Sequence, residues 1–154
     1  MNKLKFEEPT TKEQNDINEA LTQDSRKKVP FTQDPPQIAI NRVIKDGDEV
    51  VGGIMAEASR WHILKIETLW VHESHRGKGY GTSLMKEVEK VAIKLGCKLS
   101  QLSTFGFQGK EFYEKAGYRV FGILENCPEG HNRYYLSKRL ECESARKGDL
   151  FHHK

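Results

Sequence analysis

Arg76-Gly77-Lys78-Gly79-Tyr80-Gly81 follows the strand-like run Ile63 to Val71 and opens an amphipathic helical pattern. Glycine lets a backbone turn its N–H groups towards one point with no Cβ in the way. The helix start adds unpaired N–H donors and the positive end of its dipole. Such a loop cradles a phosphate or pyrophosphate, and Arg76 and Lys78 add charge to it. The strand–loop–helix–strand unit over residues 63 to 104 demands a right-handed crossover, hence a parallel strand pair.

Two phosphate loops do not fit. The dinucleotide fingerprint G-x-G-x-x-G fails because the third position after Gly79 is Thr82. The strand after the helix, Lys98-Leu99-Ser100-Gln101-Leu102-Ser103, ends in no acidic residue that would hold a ribose. The P-loop G-x-x-x-x-G-K-[ST] fails because Lys78 sits inside the glycine run. The pattern that remains is Arg-x-x-Gly-x-Gly.

Working outward, residues 3 to 7 read as a short first strand, and Thr10 or Thr11 caps a polar helix through about Ser25. Pro30, Pro35 and Pro36 mark an irregular connection. Ile38 to Ile44 and Val50 to Ala58 are strand-like around the turn Lys45-Asp46-Gly47-Asp48, and a reversal near Ser59-Arg60 leads into Ile63 to Val71. After the loop, Tyr80, Leu84, Val88, Val91, Ala92 and Leu95 recur at helical spacing until Gly96. A strand at 98 to 104, a short helix Gln108 to Ala116, and strands Tyr118 to Leu124 and Arg133 to Leu140 complete the order. The expected fold is α+β, with an antiparallel meander joined to a parallel pair in one mixed sheet flanked by helices.

The chain has 154 residues, enough for one domain with a real core, expected over 1–140 with a charged tail at 141–154. Its net charge of +3 comes from 25 basic and 22 acidic residues mixed along the chain, too even a balance to argue for nucleic acid. No apolar run approaches the roughly 20 residues of a membrane span. Met1 to Glu8 lacks the apolar core of a signal peptide, so a cytoplasmic protein is expected. Cys97, Cys127 and Cys142 form no C-x-x-C pair and read as free thiols.

A second motif lies about thirty residues past the loop: Phe112-Tyr113-Glu114-Lys115-Ala116-Gly117-Tyr118. Together, in this order and spacing, the two motifs resemble those of the GNAT superfamily of acyl-CoA-dependent N-acyltransferases. The likeness follows Ile66 to Tyr118 and, by element order, about Leu4 to Leu140. Ser103 to Tyr113 also resembles a small bacterial subgroup carrying T-F-x-F-Q-A before F-Y, with a turn like Pro128-Glu129-Gly130-His131 before the last strand. Gly109 departs from that pattern, where Ala is usual, and inside a helix would loosen its start by up to ~1 kcal/mol.

The resemblance implies a GNAT-like sheet whose parallel pair splays apart, and acetyl-CoA as co-substrate without a metal. It implies a bulged strand ending Leu69-Trp70-Val71, whose backbone pairs with pantetheine and polarises the thioester carbonyl. It places the pyrophosphate on Arg76, Gly77, Lys78, Gly79, Tyr80, Gly81 and Thr82. Tyr113 matches the general acid beside the sulfur, and Glu67 matches a general-base position, with Glu57 and Glu73 as rivals. Such chemistry must deprotonate an amine, stabilise a developing oxyanion, protonate a leaving thiolate and hold both reactants together. The implied activity is acetyl transfer to a primary amine by direct attack in a ternary complex. The alternative is a non-catalytic acyl-CoA-binding or regulatory module. The acceptor, a small molecule or a peptide amine, is not legible, and the resemblance allows a homodimer.

Other features carry blander readings. His72-Glu73-Ser74-His75 is one residue short of H-E-x-x-H and is not helical, so no metal site follows. Lys86, Lys90 and Lys94, interleaved with Glu87 and Glu89, read as a solvated helix face rather than a nucleic-acid patch. Cys97 reads as a small core residue. Phe31, Trp61, Trp70, Phe105, Phe107 and His131 are aromatic candidates for an acceptor mouth.

Overall fold

The computed structural model describes residues 3–141. The chain divides into two compact units, one ending at Phe31 and one beginning at Thr32.

The first unit is dominated by α1, Thr11–Lys28. Its start is a reciprocal capping box: Glu13 N–H donates to Thr10 Oγ1 (3.1 Å) and Thr10 N–H donates to Glu13 Oε1 (2.9 Å). The Thr10 amide first, and the Thr10 side chain second, favour the ionised carboxylate and hold the Glu13 pKa below its ordinary value. Arg26, Lys27 and Lys28 complement the dipole in the last turn, carrying the helix three residues past the expected end. The strand expected at residues 3 to 7 does not form. Leu4 and Phe6 are 93% and 100% exposed, so their alternation has no sheet or core to satisfy it.

The second unit is a six-stranded sheet in the order β1-β2-β3-β4-β6-β5. β1 (Gln37–Asp46), β2 (Glu49–Ser59) and β3 (Ile63–Val71) form the antiparallel meander. α2 (Tyr80–Lys94) crosses to β4 (Leu99–Phe105), which runs parallel to β3. α3 (Lys110–Lys115), β5 (Arg119–Leu124) and β6 (Arg133–Arg139) complete it, with β6 antiparallel to both β4 and β5. The mixed α+β sheet is therefore as the sequence implies.

α2 explains why the crossover folds. Leu84, Met85, Val88 and Ala92 are buried on one face at helical spacing, against Ile40, Ile54, Leu64 and Leu136 of the sheet core. Each large side chain so buried contributes about 1.5–3 kcal/mol. Gly96 (φ +94°) then reverses the chain in the left-handed region, and Cys97 is buried as expected, which pushes its thiol pKa up.

Candidate active site

The parallel pair is short. β3 and β4 are in register only at Ile63/Leu99, Leu64/Ser100 and Lys65/Gln101, and beyond Lys65 the pairing ends while β3 runs on to Val71. The two strands thus part along the second half of β3. At the same place β3 bulges. Met55 of β2 faces Thr68 and Ala56 faces Ile66, leaving Glu67 as the extra residue. The bulge shifts the alternation by one: Leu64 and Ile66 are buried before it, whereas Leu69 and Val71 pack on the core after it. Glu67 and Thr68 are left exposed side by side at the mouth of the gap.

The glycine loop closes the far end of the gap. A one-turn 3-10 helix, Glu73–His75, leads into Arg76, whose Nε–H donates to the Val71 carbonyl (2.9 Å) and fastens the loop to the strand end. Gly77 (φ +79°) and Gly79 (φ +84°) both lie in the left-handed region with open space where a Cβ would project. Gly79 is the N-cap of α2 and offers no side chain to the first-turn amides, and no acidic residue occupies that turn. The donors at the start of α2 therefore await an anion from outside the helix, which fits a pyrophosphate. A Cβ on Gly81 would come 3.2 Å from Phe112 Cζ, so a glycine there lets α2 and α3 approach closely.

α3 supplies Phe112 and Tyr113, whose rings meet edge-on with centroids 5.1 Å apart. Tyr113 also meets Tyr118 at 6.2 Å. Burial pushes the Tyr113 phenol pKa above its ordinary value, so it is protonated at neutral pH. Gly109 is not inside the helix. It is the N-cap at φ +145°, a conformation alanine adopts only with strain, and α3 begins two residues later than the sequence suggests.

A cavity of about 910 Å³ joins these parts. Glu67, Leu69, Trp70, Val71, Arg76, Gly77, Gly79, Tyr80, Gly81, Thr82 and Tyr113 all line it, so nearly every expected site residue converges on one space. Lys78 is exposed on the loop and does not line it. Of the aromatic candidates, Trp70 and Phe107 line the cavity, while Phe105 and His131 pack on Phe107.

The family model for the acetyltransferase (GNAT) family matches residues 4–118 of this chain. The chain belongs to the GNAT acetyltransferase family. This GNAT protein is 33% identical over 93 residues to blasticidin-S acetyltransferase of Streptomyces morookaense, a match covering 60% of this chain and 68% of that one. It superposes on the crystal structure of an acetyltransferase from Bacillus cereus with a TM-score of 0.83 and 34% identity, over 89% of this chain and 98% of the other. It shares its fold with an aminoglycoside 6'-N-acetyltransferase solved with coenzyme A, at a TM-score of 0.59 and 24% identity, over 71% and 76% of the two chains. This GNAT chain is an acetyl-CoA-dependent acyltransferase.

Sequence reasoning missed two parts of this GNAT site. His75, Ser103, Thr104 and Gln108 also line the cavity. His75 was legible only as the neighbour of Arg76. The second omission is a buried polar network behind the cavity. Tyr118 O–H donates to Glu89 Oε2 (2.8 Å) and pairs with Ser100 Oγ (2.7 Å), while Lys138 Nζ donates to Glu89 Oε1 (2.8 Å) and to the Ala116 carbonyl (2.9 Å). Burial first, then the Glu89 charge, pushes the Tyr118 pKa far above the ordinary phenol range. The network ties α2 to β4, β6 and the turn after α3, and so fixes the cradle relative to the tyrosine helix.

Proposed function

We propose that the chain transfers the acetyl group of acetyl-CoA directly to a primary amine in a ternary complex. One observation carries the reading: an exposed carboxylate on the strand bulge, a protonated tyrosine on α3 and an anion cradle at the start of α2 face a single cavity. The cradle, Arg76 through Thr82, would hold the pyrophosphate of acetyl-CoA, and the β3 backbone at Leu69 to Val71, without a β4 partner, would pair with the pantetheine arm.

An alkylamine of ordinary pKa near 10.4 is neutral in only about one molecule in 2,500 at pH 7. Glu67, directly or through water, takes the proton that the amine must lose. The amine nitrogen then attacks the thioester carbonyl, a main-chain N–H of β3 stabilises the oxygen, the C–N bond forms and the C–S bond breaks. Tyr113 gives its proton to the leaving thiolate and regains one, through solvent, from the nitrogen, which sheds its second proton on becoming an amide; Glu67 releases the first proton to solvent. The products are the acetamide and CoA thiol, with no enzyme-bound acyl group. The relative named for blasticidin S makes an antibiotic amine one acceptor class to be assayed. The site is proposed within a single acetyltransferase domain, 1–140.

Steady-state kinetics on Tyr113→Phe and Glu67→Gln test the assignment. Tyr113→Phe should lower kcat about 10²- to 10⁴-fold with acetyl-CoA affinity unchanged. Glu67→Gln should lower kcat at neutral pH and alter the pH–rate profile. Unchanged turnover in the first variant, or an unaltered profile in the second, removes that residue from the mechanism.

A further inference from the structure

Phe107 is an exposed aromatic held rigidly at the cavity wall. It stands on the loop joining β4 to α3, where Gln108 N–H donates to the Phe105 carbonyl (2.9 Å) and Phe105 N–H donates to Gln108 Oε1 (3.1 Å). Gly106 N–H donates to the Asn132 carbonyl (3.0 Å), fastening the loop to the β5–β6 connection. The Phe105 and Phe107 rings lie parallel, with centroids 5.3 Å apart and planes within 2°. His131 meets Phe107 edge-on at 5.2 Å. With two aromatic neighbours Phe107 is still 61% exposed, and it lines the same cavity as Glu67 and Tyr113. A lone exposed phenylalanine is ordinary. One fixed in a parallel stack, on a loop closed by reciprocal hydrogen bonds and facing a reaction cavity, is a platform.

We propose that Phe107 is the acceptor platform, stacking on a flat, uncharged aromatic or heteroaromatic ring carried by the amine substrate. The inference rests on the acetyl-transfer reading above and names the substrate class of that site. A further ring continues the offset stack already begun by Phe105 and Phe107. A cation does not suit the same place. Arg133, held by Nη2–H donation to Ser103 Oγ (2.7 Å), puts its Cζ 5.4 Å from the Phe105 centroid and already occupies the stack with positive charge. Phe107 thus selects ring-bearing amines over aliphatic polyamines and makes no contact with the reacting bond.

The experiment compares 2-phenylethylamine with 2-cyclohexylethylamine, measured by calorimetric binding to the CoA-saturated protein. Area burial alone favours the cyclohexyl compound, which is bulkier and more apolar. Stacking predicts the reverse, with 2-phenylethylamine bound about 3- to 10-fold more tightly. Phe107→Leu should erase that preference and leave acetyl-CoA affinity unchanged. Equal or inverted affinities in the wild type overturn the proposal. So does a Phe107→Leu variant that keeps the preference, or one that loses acetyl-CoA affinity instead, which would assign the ring to the donor. Thiol release with the same amines is read separately: selective binding without release retains the platform and removes the acetyl-transfer reading.

Discussion

Lys138→Met should be among the most damaging single changes outside the cavity, because it strands Glu89. The two side chains are only 15% and 11% exposed and meet at 2.8 Å. At that separation and an effective dielectric of about 20 the gross attraction is about 6 kcal/mol. Desolvation offsets much of it, so the pair itself is a weak net stabiliser, yet removing one partner leaves a buried charge and costs about 3–5 kcal/mol. The Ala116 carbonyl loses its Lys138 donor at the same time, worth about 1 kcal/mol more. The double variant Glu89→Leu/Lys138→Met removes the stranded charge. It should be about 2 kcal/mol less destabilised than the sum of the single changes. Urea unfolding with linear extrapolation measures all four corners of the cycle. A Lys138→Met cost below about 1 kcal/mol, or strict additivity, would refute the idea that this pair is electrostatically sealed.

Three further outcomes follow from the same geometry. Gly79→Val puts a branched side chain at φ +84° in the cradle, costing about 1–2 kcal/mol in unfolding experiments and weakening acetyl-CoA at least about tenfold in calorimetry. Gly109→Ala, which helix propensity alone would favour, should instead lower stability by about 1–2 kcal/mol because of φ +145°; a rise in Tm would contradict the N-cap geometry. Tyr113 and Tyr118 both hold their protons more tightly in the native state than the unfolded value near pH ~10. Their contribution is therefore complete below about pH 10 and lost as pH rises towards the native pKa values. Alkaline denaturation of Tyr118→Phe should be shallower than that of the wild type, and equal slopes would count against the assignment.

Much of the site was legible in the sequence. The boundaries of β3 at Ile63 and Val71 follow from its apolar alternation between two reversals, and the cradle follows from glycine chemistry. The bulge at Glu67 could not be read from the residues themselves, since Ile66-Glu67-Thr68 also suits a regular strand; only the family likeness implied it. Leu4 and Phe6 misled because period-two alternation signals a strand only where a neighbouring strand exists to pair with it. Glu89 was hidden among the charges of α2. It lies four residues after Met85 and three before Ala92, on the buried face, and only Lys138 and Tyr118 from distant segments make that position tolerable. Such long-range pairing leaves no local signal.

Direct acetyl transfer to an amine is tested by mass-detected acetylation of a panel of primary amines incubated with acetyl-CoA, alongside assay of released CoA thiol. The panel spans ring-bearing amines, aminoglycosides, polyamines, amino acids and short peptides. Acetamide and thiol should form in equal amounts with at least one amine, both reduced about 10²-fold or more in Tyr113→Phe. Thiol release without acetamide, or acetamide formation indifferent to Tyr113, would contradict it.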